Sequence, residues 1–150
     1  CKEYKNKPKN MKTIISKIAF ILCVLLISSK ANAQCDTIAN ACVKNLTNQY
    51  ISDGQQYRAL LLDKEVAEFH ATFYGGSQYR IAACSGLTYG NLTFELYDKE
   101  RKLLFSNADQ MSSPYWDFKF TNTMDVTMEA KLNKTSSTSG CAVLLISFKQ

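Results

Sequence analysis

The stretch Tyr115-Trp116-Asp117-Phe118-Lys119-Phe120-Thr121 alternates apolar and polar side chains, and this period of two constrains the fold more than any other feature. Successive side chains of a strand point to opposite faces, so Trp116, Phe118 and Phe120 share one face and Asp117, Lys119 and Thr121 the other. The pattern recurs. Val126, Met128, Ala130 and Leu132 oppose Thr127, Glu129 and Lys131, while Leu92, Phe94 and Leu96 oppose Thr93, Glu95 and Tyr97. Phe69, Ala71 and Phe73 oppose His70, Thr72 and Tyr74. Each segment has one face to bury and one to wet, as antiparallel sheets do.

Turn signals separate these runs. Gly75-Gly76-Ser77 predicts a tight hairpin between the strand ending at Tyr74 and Tyr79-Arg80-Ile81. Ser85-Gly86 and Gly90-Asn91 bracket the next connection, and Asp98 to Lys102 is a charged turn before Leu103. The polar run Thr135 to Gly140 precedes a last strand, Ala142 to Phe148, apolar on both faces except at Ser147. A strand greasy on both sides belongs in the centre of a sheet or beneath another element. With Tyr57–Leu62 and Leu103–Asn107 the count is about eight strands. The expected fold is all-β: an antiparallel β-sandwich, jelly-roll-like, with one short N-terminal helix. That helix is expected over Thr37 to Leu46, capped by Asp36, with Ile38, Cys42 and Leu46 on one stripe.

The apolar run Ile18 to Ile27 follows Met11, Lys12 and Lys17 and precedes Ala31-Asn32-Ala33. A basic start, a short apolar middle and small residues at the end make a secretory signal peptide over residues 11–33, cleaved after Ala33. The run falls short of the roughly 20 apolar residues that span a bilayer. Residues 1–10 read as a non-native upstream extension. Cys23 follows Ile21 and Leu22 rather than small residues, so soluble export is expected over a lipid anchor. The expected products are a single domain, residues 34–150, and a secreted or periplasmic location without stable membrane insertion.

Removing the leader changes the charge argument. The whole chain carries 18 basic and 13 acidic residues, but seven lysines and one glutamate lie in residues 1–33. The remainder has 11 basic and 12 acidic residues, without the basic excess that nucleic-acid binding needs.

Four cysteines follow the leader: Cys35, Cys42, Cys84 and Cys141. An even count in an exported chain favours disulfides, with three pairings open. By loop-closure entropy a Cys84–Cys141 bridge contributes roughly 4 kcal/mol and a Cys35–Cys42 bridge roughly 2. One histidine and no C-x2-C argue against zinc, and neither a metal nor a cofactor is expected.

The residues Gly-Gly-Ser-Gln-Tyr-Arg-Ile (75–81) and Asn-Leu-Thr-Phe-Glu-Leu-Tyr-Asp (91–98), with the apolar last strand, resemble bacterial pre-peptidase C-terminal (PPC-like) domains. They are also similar to small secreted proteins of Bacteroidetes type. The resemblance covers roughly residues 68–148 and implies a secreted jelly-roll sandwich acting as an accessory module. Asp125-Val126-Thr127-Met128 stands where those domains carry Gly-Thr-Tyr-Tyr, and a standalone module without an attached peptidase is expected.

Catalytic signals are sparse. His70 is the single base suited to neutral pH, on the wet face of its strand, and no G-x-S-x-G nucleophile motif is present. Asp53, Asp98, Glu100, Asp109 and Asp117 read as solvated carboxylates in turns or on wet faces, since no Ca²⁺ loop surrounds them. The Asn-x-Thr triplets at Asn45, Asn91 and Asn133 carry little meaning in a bacterial setting. Tyr74, Tyr97 and Tyr115 point outward and are the candidate ligand-binding residues, although cross-strand tyrosine pairs have the same appearance. Trp116 is expected in the core. The expected function is a small exported non-catalytic binding module of the cell envelope, with a protein, peptide or glycan as partner. A structural envelope subunit is the second reading and a hydrolase the third.

Overall fold

Apolar alternation does build strands along the chain, and the eight it produces pair first with last. In the computed structural model, residues 30–62, 64–86, 92–133 and 139–149 are described. The strands are β1 (Ile51–Leu62), β2 (Val66–Phe73), β3 (Gln78–Cys84) and β4 (Leu92–Tyr97). After them come β5 (Leu103–Ser106), β6 (Tyr115–Lys119), β7 (Met124–Leu132) and β8 (Ser139–Lys149). β1 pairs with β8, β2 with β7, β3 with β6 and β4 with β5, all antiparallel. Two further pairings, β3 with β8 and β4 with β7, complete four-stranded sheets ordered β1-β8-β3-β6 and β2-β7-β4-β5. This is a long hairpin rolled into a jelly-roll sandwich.

The inward faces make the main core. Phe73, Ile81, Phe94, Leu96, Met128 and Leu144 are among its fully buried side chains. Asn107 is buried with them and fully satisfied. Its amide donates to the Leu92 and Ser113 carbonyls and its oxygen accepts the Phe94 N–H, tying the 3-10 turn Asn107–Gln110 to β4.

The double-faced apolarity of β8 has the expected cause. β8 lies between β1 and β3, and its outward residues Cys141, Val143 and Leu145 are covered by helix α1 (Lys30–Cys42). Ile38, Ala39, Cys35 and Cys42 form with them a second, smaller core. Disulfides Cys35–Cys141 and Cys42–Cys84 staple the helix to both central strands of this sheet. They span 106 and 42 residues, loops for which closure entropy gives roughly 5 and 4 kcal/mol taken singly.

The structure corrects three expectations. The helix starts earlier and ends sooner than Thr37–Leu46, closing in a 3-10 turn, Val43–Asn45. Asp36 therefore lies inside it and does not cap it, and its carboxylate pairs with Arg58 of β1. Gly75-Gly76-Ser77 is not a hairpin, because β2 and β3 belong to different sheets. The two glycines carry the chain across the sandwich against the 120–122 segment. Gly76 takes φ of 86° and donates to the Phe120 carbonyl, and a Cβ on Gly75 would meet the Thr121 carbonyl oxygen at 2.7 Å. Trp116 is on the inward face as expected but 37% exposed, because β6 is an edge strand. The expected signal peptide and upstream extension lie outside the described residues, except that residues 30–33 open α1.

Candidate functional site

The two edges of the sandwich differ. At one, β5 and β6 meet through aromatic rings: Phe105 stacks on Trp116 at 5.4 Å and meets Phe118 edge-on at 5.0 Å. At the other, β1 and β2 leave a cleft of about 850 Å³. Tyr57, Phe73, Tyr79, Ile146 and Phe148 line its inner side, and it continues past Tyr74 to His70, Thr72, Asp125 and Thr127 on the outer face of β7 and β2.

The backbone of β1 is irregular along this edge. Its pairing with β8 slips between Ser52 and Gln56, where Gly54 takes φ of 79°. An extra residue bends a strand and interrupts its ladder. Asp53, in this bulge, lines the cleft, and its Oδ1 accepts the Gln55 N–H at 2.9 Å. Burial pushes its carboxyl above the usual range, against the lowering effect of its backbone hydrogen bonds. Burial also raises the Tyr57 phenol, and the charge of Asp53 adds to that. Tyr57 donates to Gln55 at 2.7 Å, and Tyr79 Oη accepts the Tyr74 N–H at 3.0 Å.

Tyr74, Tyr97 and Tyr115 do not share a surface. Tyr74 is 64% exposed at the cleft. Tyr97 lies on the outer face of the other strands of that sheet, with Arg101 over its ring at 5.0 Å and its hydroxyl donating to Glu95 at 3.0 Å. Tyr115 lies on the outer face of the opposite sheet. Arg80, whose side chain is 11% exposed, sits between the rings of Tyr50 (4.8 Å) and Tyr115 (4.4 Å). Its guanidinium donates to both oxygens of Asp117, at 2.6 and 2.8 Å, and that bidentate pairing holds the Asp117 carboxyl below its usual range. Asp117, read as solvated, is thus an anchor for the edge strand β6.

Asp98 is a turn residue in the strict sense. Its Oδ1 accepts the N–H groups of Glu100 and Lys102 at 2.9 Å each, closing the β4–β5 hairpin. Glu100 pairs loosely with Lys99 at 3.9 Å, and Asp109 sits in the first turn of the 3-10 segment after β5. His70 Nδ1 lies 3.2 Å from Thr127 Oγ1 and its Nε2 3.2 Å from Glu68. That order of groups resembles a nucleophile, base and orienting carboxylate. Thr127, however, lies on β7, between β2 and β4, where the ladders on both sides occupy the backbone donors an oxyanion would need. The arrangement is a cross-strand pair on an exposed sheet face.

Sequence reasoning singled out Tyr74 and noted Asp53 as a turn carboxylate, but missed Tyr57, Tyr79 and Asp125 as cleft residues. The Asp53-Gly54 step inside an otherwise strand-like run was the available signal, since such a step marks a bulge.

No family model matches the chain, and no curated protein matches it. Among solved structures it is similar to PliG of Aeromonas hydrophila, a periplasmic lysozyme inhibitor of g-type lysozyme. The TM-score is 0.51 at 9% identity, over 69% of this chain and 91% of that one. The likeness is one of fold.

Proposed function

We propose that this chain is an exported, non-catalytic protein-binding module that takes its partner at the open β1/β2 edge. The observation that carries the reading is the cleft: an aromatic-walled hollow of about 850 Å³ at the edge of a sandwich whose other edge is closed. Recognition surfaces combine rigid aromatic anchors with a few placed polar groups, and Tyr57, Tyr74 and Tyr79 with Asp53 and Asp125 supply both. Two disulfides suit an oxidising compartment such as the periplasm. A sandwich of this fold, PliG, inhibits a lysozyme, which supports a protein rather than a small molecule as ligand and makes g-type lysozyme the first purified partner to try.

The test compares the two edges. Immobilised protein is exposed to an envelope extract and separately to g-type lysozyme, beside Tyr74→Ala at the cleft and Met111→Ala, whose side chain is 97% exposed after β5. Tyr74→Ala should lose the captured partner and Met111→Ala should keep it. Equal capture by both variants, or capture of glycan and no protein, would sink the reading.

A further inference from the structure

The carboxylates of the described residues divide into those that have found a cation and those that have not. Asp36, Glu68, Glu95, Glu100, Asp117 and Glu129 each pair with a lysine or arginine. Asp53, Glu65, Asp98, Asp109 and Asp125 make no ion pair with a lysine or arginine among the described residues, and of these Asp53 and Asp125 line the cleft. The Asp125 carboxylate accepts one side-chain hydrogen bond, from Thr72 at 2.6 Å. The cleft's two basic side chains each lie near a glutamate that is not part of its lining. Lys99 lies 3.9 Å from Glu100, and His70 lies between Glu68 and Thr127. The cleft's own two carboxylates have no such cation, and its lining includes the rings of Tyr57 and exposed Tyr74, with Tyr79 buried behind them in the core.

This chain shows elsewhere what such a set of groups accepts. On the opposite sheet a guanidinium lies between two tyrosine rings and grips a carboxylate with two hydrogen bonds. The cleft offers the same kinds of group, Tyr57, Tyr74 and Tyr79 with Asp53 and Asp125, without an arginine of its own. Arginine suits them better than lysine, because its flat, weakly hydrated head stacks on rings and pairs with carboxylates through a fork of donors. A divalent ion fits less well, since the described residues hold no cluster of three or more acidic, histidine or cysteine side chains.

We infer that the cleft receives an arginine side chain presented by the partner protein. This deepens the protein-binding reading and rests on it. The partner's arginine stacks among the tyrosines while its guanidinium neutralises Asp53 and Asp125.

The test uses the protein as exported, with both disulfides formed, and three capped tripeptides: Gly-Arg-Gly, Gly-Lys-Gly and Gly-citrulline-Gly. Citrulline keeps the shape of arginine and removes its charge. Amide shifts followed by NMR should saturate with the arginine peptide at Tyr57, Tyr74 and Asp125. Affinity should fall about tenfold with citrulline and about tenfold in Asp53→Asn or Asp125→Asn, the loss of one charge-assisted contact. Unchanged amide dispersion in those variants shows that the fold is kept. Equal binding of the citrulline peptide, arginine shifts insensitive to both substitutions, or the same shifts produced by Ca²⁺ alone would overturn the assignment. If no arginine peptide binds while Tyr74→Ala still releases the captured partner, the occupant is wrong and the binding module stands.

Discussion

The β5/β6 edge and the β1/β2 edge are built from the same material and end differently. Both are pairs of edge strands facing each other across the sandwich, and both carry aromatic side chains on the inward positions. At β5/β6 the rings of Phe94, Phe105, Trp116 and Phe118 close on one another. From outside, Arg80 clamps β6 to β3 through Asp117. At β1/β2, Tyr57 meets Phe69 edge-on at 5.6 Å, but β1 then bulges at Asp53 and Gly54, and the remaining rings line a hollow. The difference teaches that a sandwich edge stays open through a backbone irregularity and unpaired charge, not through lack of apolar side chains.

The strongest way to break this comparison is to open the closed edge. Phe105→Ala removes a ring that touches Phe94, Trp116 and Phe118, and should cost about 3 kcal/mol, on the order of 10 °C in Tm. Tyr74→Ala at the open edge should stay within about 0.5 kcal/mol, because an exposed ring does little for folding. Matched thermal melts decide this, and equal losses would mean that the two edges are held alike. Arg80→Ala comes next, at about 2 kcal/mol, since it strands Asp117 and releases two tyrosine rings. Hydrogen exchange should show that loss as opening of β6, with β1 unaffected.

Much of this was legible because strand formation is local. Alternation can be read within six or seven residues, and eight strands form at the expected places, except that β1 starts at Ile51, ahead of the expected Tyr57–Leu62. The two apolar faces of β8 pointed to a strand that is central or covered, and it is both. What could not be read depends on partners far along the chain. Gly75-Gly76 looked like a hairpin turn because nothing local says that β2 pairs with β7 and β3 with β8. Cysteine spacing left three pairings open, and only the docking of α1 across β8 and β3 selects Cys35–Cys141 and Cys42–Cys84. Trp116 was given the right face and the wrong burial, since alternation does not reveal which strand is an edge. The cleft suffers from the same limit. Asp53 and Asp125 are 72 residues apart and line one cleft only because β1 of one sheet faces the β2–β7 edge of the other.

The smallest expected effect is also the sharpest, because it gives the two edges opposite signs. Asp117 has its carboxyl lowered by Arg80, so its contribution to stability is complete above the ordinary carboxylate range. It is lost as pH falls from there through the folded-state value. Asp53 has its carboxyl raised by burial, so the folded protein holds that proton more tightly than the unfolded chain does. Its effect is a loss of stability as pH rises through the raised value. Denaturant unfolding between pH 3 and 6 should therefore show Asp117→Asn falling further behind the wild type as pH rises. Asp53→Asn should match the wild type at the acid end and move ahead of it as pH rises. Parallel curves for the two variants would mean that the open edge carries no desolvated charge, and the case for a cationic side chain in the cleft would lose its electrostatic support.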